Sequence, residues 1–112
     1  MQPRLAAISG RLKGAIFSIN DTGGTVIGRD TAASLCIAES AVSRRHSIVE
    51  KKDDSYVVTD LDSLNGTFVN DVPVKTRVLQ HGDRLRIAGR LPLAGRRPWT
   101  ALRGLVRVDT RA

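Results

Sequence analysis

The sequence contains few aromatic residues, a single cysteine and no long apolar segment. One Trp, one Tyr and two Phe among 112 residues are too few for an obvious surface on which nucleic-acid bases could stack. No apolar run approaches the roughly 20 residues of a membrane-spanning helix, and Met1–Gly10 lacks the apolar stretch of a secretory signal peptide. These absences favour a protein of the reducing cytoplasm, with no membrane partner and no specific binding of nucleic acid by this domain.

Residues suited to catalysis or metal binding are also scarce. Cys36 has no partner for an internal disulfide, and within its short apolar stretch we expect a buried, inert thiol. The two histidines and the cysteine lack the spacing of a metal site. His46 follows Ser43 by three residues, but no Gly-x-Ser-x-Gly motif is present, and a buried histidine that ties a loop to a sheet is the simpler interpretation. We expect Asp60 and Asp62 in turns or caps, and we predict no catalytic residue, metal or cofactor.

Basic residues outnumber acidic ones, and the formal net charge is +7. Residues 1–89 carry 12 Lys and Arg against 10 Asp and Glu, whereas residues 90–112 carry six Arg against one Asp. The body of the domain is therefore nearly balanced, and the excess belongs to a basic C-terminal tail. We predict that residues 90–103 lie outside the ligand site formed by the loop motifs described below and add only a weak, salt-sensitive attraction to polyanions.

Short apolar runs alternate with turn residues throughout residues 1–89, and no segment there sustains a helical period. Gly23-Gly24, Asn65-Gly66 and Gly82-Asp83 are typical turn dipeptides. Many short strands at this spacing indicate an all-β sandwich of antiparallel or mixed sheets. The predicted strands are Arg4–Ile8, Ala15–Ile19, Thr25–Gly28, Ser34–Ile37, His46–Lys51, Tyr56–Asp60, Thr67–Val69, Val78–Leu79 and Arg84–Ile87.

Two C-terminal segments carry more specific expectations. In Arg84–Ile87 the period of two places Leu85 and Ile87 in the core and both arginines in water. Residues 104–108 are strand-like, and they either pair with the N-terminal strand or form a solvated tail. The long connection before them, with its arginines and two prolines, favours the solvated tail.

Three motifs place polar side chains in loops at strand ends. They are Gly28-Arg29, Ser43-Arg44-Arg45-His46 and the run from Asp62 to Asn70. If these loops converge, Arg29 offers a planar fork of donors, Ser43 a hydroxyl, Arg44 a second cation and Asn65 an amide. The set contains no carboxylate. A phosphate dianion is the ligand that best uses two arginines, a hydroxyl and an amide together.

The order and spacing of these motifs resemble the forkhead-associated (FHA) domain family from about residue 4 to residue 89. The resemblance is carried by Gly28-Arg29, Ser43-x-x-His46, Ser63-x-Asn65-Gly66-Thr67 and Gly82-Asp83. It implies a β-sandwich of about 11 strands whose loops bind phosphothreonine peptides, and thus a binding module rather than an enzyme. The FHA body would then cover residues 1–89.

The resemblance also implies a role for each motif residue. Arg29, Ser43, Arg44, Leu64 and Asn65 look like positions that contact the phosphopeptide, and Gly28, His46, Gly66 and Thr67 look like positions that support the loops. Leu64 stands where many family members have Thr or Ser, so one hydroxyl contact is missing. We expect this difference to lower affinity without changing the function.

Two other functions stay open at this stage. A basic β-module could bind nucleic acid or anionic surfaces through its arginine tail, in which case binding would depend on salt and not on phosphorylation. A degenerate sandwich could serve only as a scaffold, although the intact set Arg29, Ser43 and Asn65 argues against it. Similar N-terminal FHA domains occur in bacterial signalling proteins, including transcriptional activators. By that analogy we expect a monomeric N-terminal domain of a larger regulator.

Overall fold

The computed structural model describes residues 3–7, 14–20, 22–87 and 105–109, which form strands and their connections without any helix. Within these ranges, therefore, nothing could cross a membrane as a helix. The strands are β1 Arg4–Ala7, β2 Ile16–Ser18, β3 Thr25–Gly28, β4 Leu35–Cys36, β5 Ser47–Lys52, β6 Ser55–Asp60, β7 Thr67–Val69, β8 Val72–Val74, β9 Thr76–Leu79, β10 Arg84–Ile87 and β11 Leu105–Asp109.

The 11 strands form two sheets that pack face to face. The six-stranded sheet has the order β2-β1-β11-β10-β7-β8, and the five-stranded sheet has the order β4-β3-β5-β6-β9. Only the short pair β3–β4 is parallel among the described pairs, and the other eight are antiparallel. The predicted all-β sandwich of two sheets is confirmed.

The core lies between the sheets and is built from alternate strand residues. Leu5, Leu85 and Val106 from one sheet meet Val49 and Val58 from the other, and all five are fully or almost fully buried. Burying each such side chain stabilises the fold by about 1.5–3 kcal/mol. The period of two along each strand thus decides which residues hold the sheets together.

Strand β8 is the one described strand in residues 3–87 that the sequence pattern did not predict. Val72-Pro73-Val74 contains a proline, which cannot donate to a ladder and argues against a strand. In the structure β8 is an edge strand that pairs only with β7, with Pro73 opposite Phe68. Since an edge strand has one side without partners, the missing donor is tolerated there.

The expectation that both arginines of β10 face water is wrong for Arg86. Its side chain is only 3% exposed, although it points away from the core. The guanidinium lies over the Phe68 ring at 3.9 Å from the centroid, and its Nε is 3.6 Å from Asp71 Oδ1. Burial lowers the pKa of Arg86, and Asp71 opposes that shift. The alternation predicted the direction of the side chain correctly, but this part of the outer face is covered.

The leaning towards a solvated tail is also wrong for Leu105–Asp109. This segment is β11, which lies inside the six-stranded sheet between β1 and β10. Val106 and Val108 point into the core and are buried. Without β11, both of its neighbours would present unpaired edges. The entropic cost of bringing two segments together grows only slowly with the length of chain between them. The predicted boundary at residue 89 and residues 90–103 lie outside the described residues.

Candidate functional site

Three loops meet at one end of the sandwich and contain all five residues predicted to contact the ligand, while the predicted support residues Gly28 and Thr67 lie in the strands beside them. The first follows β3 at residues 29–34, the second joins β4 to β5 at residues 37–46, and the third joins β6 to β7 at residues 61–66. We call them loops A, B and C. They converge because β3, β5 and β6 are neighbours in the same sheet, and loop C leads into the opposite sheet at β7.

Gly28 allows loops A and B to touch. A Cβ atom at this position would lie 2.8 Å from the carbonyl carbon of Arg44 and even closer to its oxygen, which no side chain could accommodate. The close approach is held by two backbone hydrogen bonds, from Arg29 N to Ser43 O at 3.0 Å and from Asp30 N to Arg44 O at 3.2 Å. Gly28 therefore places Arg29 and Arg44 side by side.

Arg29 is exposed, and one hydrogen bond fixes its guanidinium. Its Nε donates to Val42 O in loop B at 3.0 Å. Among the described residues, nothing pairs with its two terminal amino groups. A planar group held at Nε keeps its terminal donors oriented in one plane, which suits a bidentate contact with phosphate.

Ser43 links loops B and C through its hydroxyl. Its Oγ accepts a hydrogen bond from Leu64 N at 3.0 Å. Because the hydroxyl acts as an acceptor there, its own proton is left to donate to a ligand. Arg44, the next residue, is exposed, and its side chain makes no hydrogen bond or ion pair within residues 3–7, 14–20, 22–87 and 105–109.

His46 is fully buried beneath these groups and bonds to loops B and C at once. Ser43 N donates to Nδ1 at 3.0 Å, and Nε2 lies 2.7 Å from Gly66 O. A backbone N–H can only donate and a carbonyl can only accept, so His46 is the neutral tautomer with its proton on Nε2. Burial lowers the pKa of His46, while the bond to Gly66 and the charge of Asp60 oppose the shift.

The neutral state of His46 gives stability a specific dependence on pH. The folded pKa lies below the unfolded value near 6.5, so the unfolded chain binds the extra proton first as pH falls. Stability should be complete above about pH 6.5 and fall towards the folded pKa, by at most about 1.4 kcal/mol per pH unit. Thermal melts between pH 7.5 and 5 measure this change.

Two variants separate His46 from other titrating groups. His46→Gln cannot take up the proton, so it should be less stable at pH 7.5 and should lose the pH dependence in this window. His81→Gln, at an exposed turn, is the control and should keep it. A parent-like slope in His46→Gln would contradict the assignment.

Asp60, the last residue of β6, holds loop C in place through hydrogen bonds. The motifs did not identify it as part of the site. Its Oδ2 accepts from Ser63 N at 3.1 Å, and its Oδ1 accepts from the hydroxyls of Ser63 and Thr67. Burial acts to raise the pKa of Asp60, but these hydrogen bonds, with a contribution from His46, hold it below its ordinary value. Asp60 therefore has the expected turn role and is also part of a hydrogen-bond network that supports loop C.

The same network reaches the sheet and the tip of loop C. The Ser47 hydroxyl lies 2.7 Å from Thr67 Oγ1, and Gly66 N donates to Ser63 Oγ at 2.9 Å. Gly66 has φ of +90°, a conformation that favours glycine. Ser63 belongs to the quoted motif but was given no role, and Ser47 was not singled out; their hydrogen bonds in the structure reveal what they do.

Asn65 and Leu64 lie at the exposed tip of loop C. The Asn65 Nδ2 group donates to Ala41 O in loop B at 2.8 Å, which leaves its Oδ1 to accept from a ligand. Leu64 is 88% exposed. Both residues therefore face solvent beside Ser43.

The structure changes the expectation for Cys36 and adds no metal site. Cys36 is half-buried on the edge strand β4, not fully buried, and its Sγ lies 3.5 Å from Arg29 O. Within the part of the chain that the structure describes, no group of three His, Cys, Asp or Glu side chains could hold a metal ion.

Comparisons with known proteins agree with this architecture. The sequence profile of the FHA domain family matches residues 25–88. The oxoglutarate dehydrogenase inhibitor of Corynebacterium jeikeium is 40% identical over 63 residues, which are 56% of this chain and 44% of that protein. The glycogen accumulation regulator GarA of Mycobacterium tuberculosis is 38% identical over 63 residues, or 39% of its length. The chain thus spans less than half the length of these curated relatives.

Solved structures extend the similarity beyond the matched segment. An FHA domain studied for its phosphothreonine-dependent interactions has 25% identity and a TM-score of 0.79, over 100% of this chain and 99% of that one. The FhaA FHA domain, solved with the intracellular domain of Rv3910, has 26% identity and a TM-score of 0.75, over 96% and 99%. The profile covers more than half of the sequence, and two solved FHA domains share the fold over nearly the whole chain, so the chain belongs to the FHA domain family, whose members bind phosphothreonine peptides.

Proposed function

We propose that loops A, B and C bind a phosphothreonine residue and its flanking peptide. One observation carries this proposal: three polar side chains each use one atom to hold the loops together and keep another for a ligand. Arg29 donates from Nε to loop B, so its terminal amino groups can donate to a ligand. Ser43 accepts from loop C through an oxygen lone pair, so its hydroxyl proton can be donated to a ligand. Asn65 donates from Nδ2 to loop B, so its Oδ1 can accept from a ligand. Such a site is organised before the ligand arrives, which lowers the entropic cost of binding.

The donor and acceptor atoms left available suggest which residue contacts which part of the ligand. The phosphate would accept hydrogen bonds from Arg29 and from the Ser43 hydroxyl, with Arg44 supplying a second positive charge. Asn65 Oδ1 is an acceptor, so it suits a backbone N–H of the peptide and not the phosphate. Leu64 would contact an apolar part of the peptide.

The supporting residues act through these contacts. Gly28 permits the approach of Arg29 to Arg44, His46 joins Ser43 to Gly66, and Thr67 anchors Asp60. We infer no catalytic role and no cofactor for any of them. Isothermal titration with a library of threonine peptides, each with and without phosphate, tests the function directly. Equal affinity for both forms would contradict it.

The ligand's charge state should control affinity. The second pKa of a phosphate monoester is about 6, so affinity should rise between about pH 5 and pH 7 as the dianion forms. A peptide with Glu in place of phosphothreonine should bind poorly, because a carboxylate has one negative charge and fewer acceptor oxygens. Fluorescence anisotropy with both peptides measures the difference. The proposal fails if the Glu peptide matches the phosphopeptide at pH 7.

His46 complicates this pH dependence, since protonation would also disturb the site in the same range. The His46→Gln variant separates the two effects. If the phosphate group dominates, the slope of affinity with pH should persist in that variant, whereas its stability should no longer change with pH. A slope that vanished with His46 would assign the pH effect to the protein.

The relatives suggest a wider setting. They are bacterial regulators, one named for inhibition of oxoglutarate dehydrogenase and another for glycogen accumulation. We infer that this chain is the partner-binding module of a bacterial signalling or transcriptional regulator that acts in the cytoplasm. It would bind its phosphorylated partner as a monomer.

A further inference from the structure

Four side chains form a row across the outer face of the six-stranded sheet. Arg84 of β10 lies opposite Arg107 of β11, Arg107 opposite Ala6 of β1, and Ala6 opposite Ile16 of β2. The flanking residues on β1, β10 and β11 are buried in the core, so alternation directs the row outward. We call these four residues the arginine row. It lies beside Asn70, whose Oδ1 accepts from Arg84 N, at the far end of β7 from loop C.

The two arginines of the row repel each other. Both are exposed and lie directly opposite one another on adjacent inner strands, an arrangement that destabilises a sheet. Neither side chain forms an ion pair with a residue whose side chain the structure describes. Arg86 on the same face is different, because it lies over Phe68 and close to Asp71. The fold thus covers one arginine of this face and leaves two exposed side by side.

The other end of the row is apolar. Ile16 is 59% exposed on the edge strand β2, and Ala6 lies between it and Arg107. Strands are about 4.8 Å apart, so the row is about 14 Å long, the length of four or five extended residues at about 3.3 Å each. A matching ligand would have two negative charges at one end and an apolar side chain at the other.

We propose that the arginine row binds a short, extended acidic segment of a partner protein. Two Asp or Glu side chains of that segment pair with Arg84 and Arg107, and an apolar side chain packs on Ile16. Carboxylates match the guanidinium fork, and an apolar end suits a peptide better than a sugar-phosphate backbone. The row is separate from loops A, B and C, so this binding does not depend on the phosphothreonine site.

The direct test is an NMR titration of the ¹⁵N-labelled protein with the blocked peptide Asp-Asp-Ala-Ala-Leu. The largest shift changes should fall on the amides of the arginine row. Arg84→Gln/Arg107→Gln should weaken binding at least about tenfold, and Ile16→Ser about threefold, since the first removes two charge pairs and the second one apolar contact. Lys51→Gln/Lys52→Gln on the other sheet removes the same charge from exposed positions and should change little.

A single substitution separates stability from binding. Arg84→Glu replaces a like-charge pair with an opposite-charge pair, so it should raise Tm by roughly 1–4 °C. The same substitution should weaken the binding of the acidic peptide. This variant also serves if the double substitution fails to fold. All row variants should keep the phosphopeptide affinity of the parent, and Arg29→Ala should keep the affinity for the acidic peptide.

Three results would overturn the proposal. The first is that the acidic peptide shifts loops A, B and C instead of the row, which would make it a weak mimic of the phosphopeptide. The second is an equal loss in the lysine variant, which would indicate diffuse attraction. The third is that heparin or a short single-stranded oligonucleotide binds the row as tightly as the peptide at about 0.15 M salt, where long-range attraction is screened.

Discussion

Arg29→Ala should remove most of the phosphopeptide affinity and leave the fold intact. The side chain is exposed and has one hydrogen bond, to Val42 O, so its loss should cost little stability. In the complex, the substitution would remove two hydrogen-bond donors and one positive charge that contact the phosphate dianion. Losing a partner of a desolvated charge pair costs about 2–5 kcal/mol, or about 30-fold to several-thousand-fold in Kd. Isothermal titration with the phosphopeptide, alongside a thermal melt, measures both quantities.

Two further variants show whether geometry or charge is responsible. Arg29→Lys keeps the charge but loses the planar fork and the Nε bond, so it should restore only part of the affinity. Arg45→Ala is the matched control, because it removes the same charge from an exposed residue of loop B. We expect Arg45→Ala to bind within a few-fold of the parent. If it weakens binding as much as Arg29→Ala, the site attracts phosphate through net charge alone and the assigned role of Arg29 is wrong.

Removal of residues 104–112 should destabilise the domain strongly. Val106 and Val108 leave the core, and each buried side chain of this size contributes about 1.5–3 kcal/mol. The same deletion opens the edges of β1 and β10, which both pair with β11. The combined loss of about 3–6 kcal/mol is a large part of the 5–15 kcal/mol that typically stabilises a domain. Urea denaturation of chains 1–103 and 1–112 measures the difference.

Point substitutions within β11 give a milder version of the same experiment. Val106→Ala removes most of a buried side chain and should lower the free energy of unfolding by about 2 kcal/mol. The side chain of Arg107 faces solvent, so Arg107→Ala should change the free energy of unfolding little. An unchanged free energy of unfolding in the 1–103 chain would mean that β11 does not pair in solution. If that chain folds but loses phosphopeptide binding, the prediction that the tail lies outside the site is wrong.

Most of the strands and the chemistry of the site could be read from local sequence. Thr25–Gly28, Thr67–Val69 and Arg84–Ile87 have the bounds that their alternation predicted. This works because the period of a strand and the conformations of Asn-Gly and Gly-Asp turns are properties of neighbouring residues. The motif residues also come from three short stretches, and their order carried the family resemblance. Their individual roles in binding are still predictions.

Features of the fold that depend on residues distant in the sequence were decided only by the tertiary structure. Leu105–Asp109 is a strand because β1 and β10 offer it two unpaired edges, and Val72–Val74 is a strand because it lies at an edge that needs no donor from Pro73. Arg86 is buried because Phe68 and Asp71 surround it. The sequence by itself therefore determined the alternation, the turns and the ligand chemistry. Pairing across the sheet decided the closing strand and the covered arginine, because each gains its free energy from residues far apart in the chain. The Asp60 network is local, but it depends on how loop C folds back on the end of β6, which the strand period does not predict.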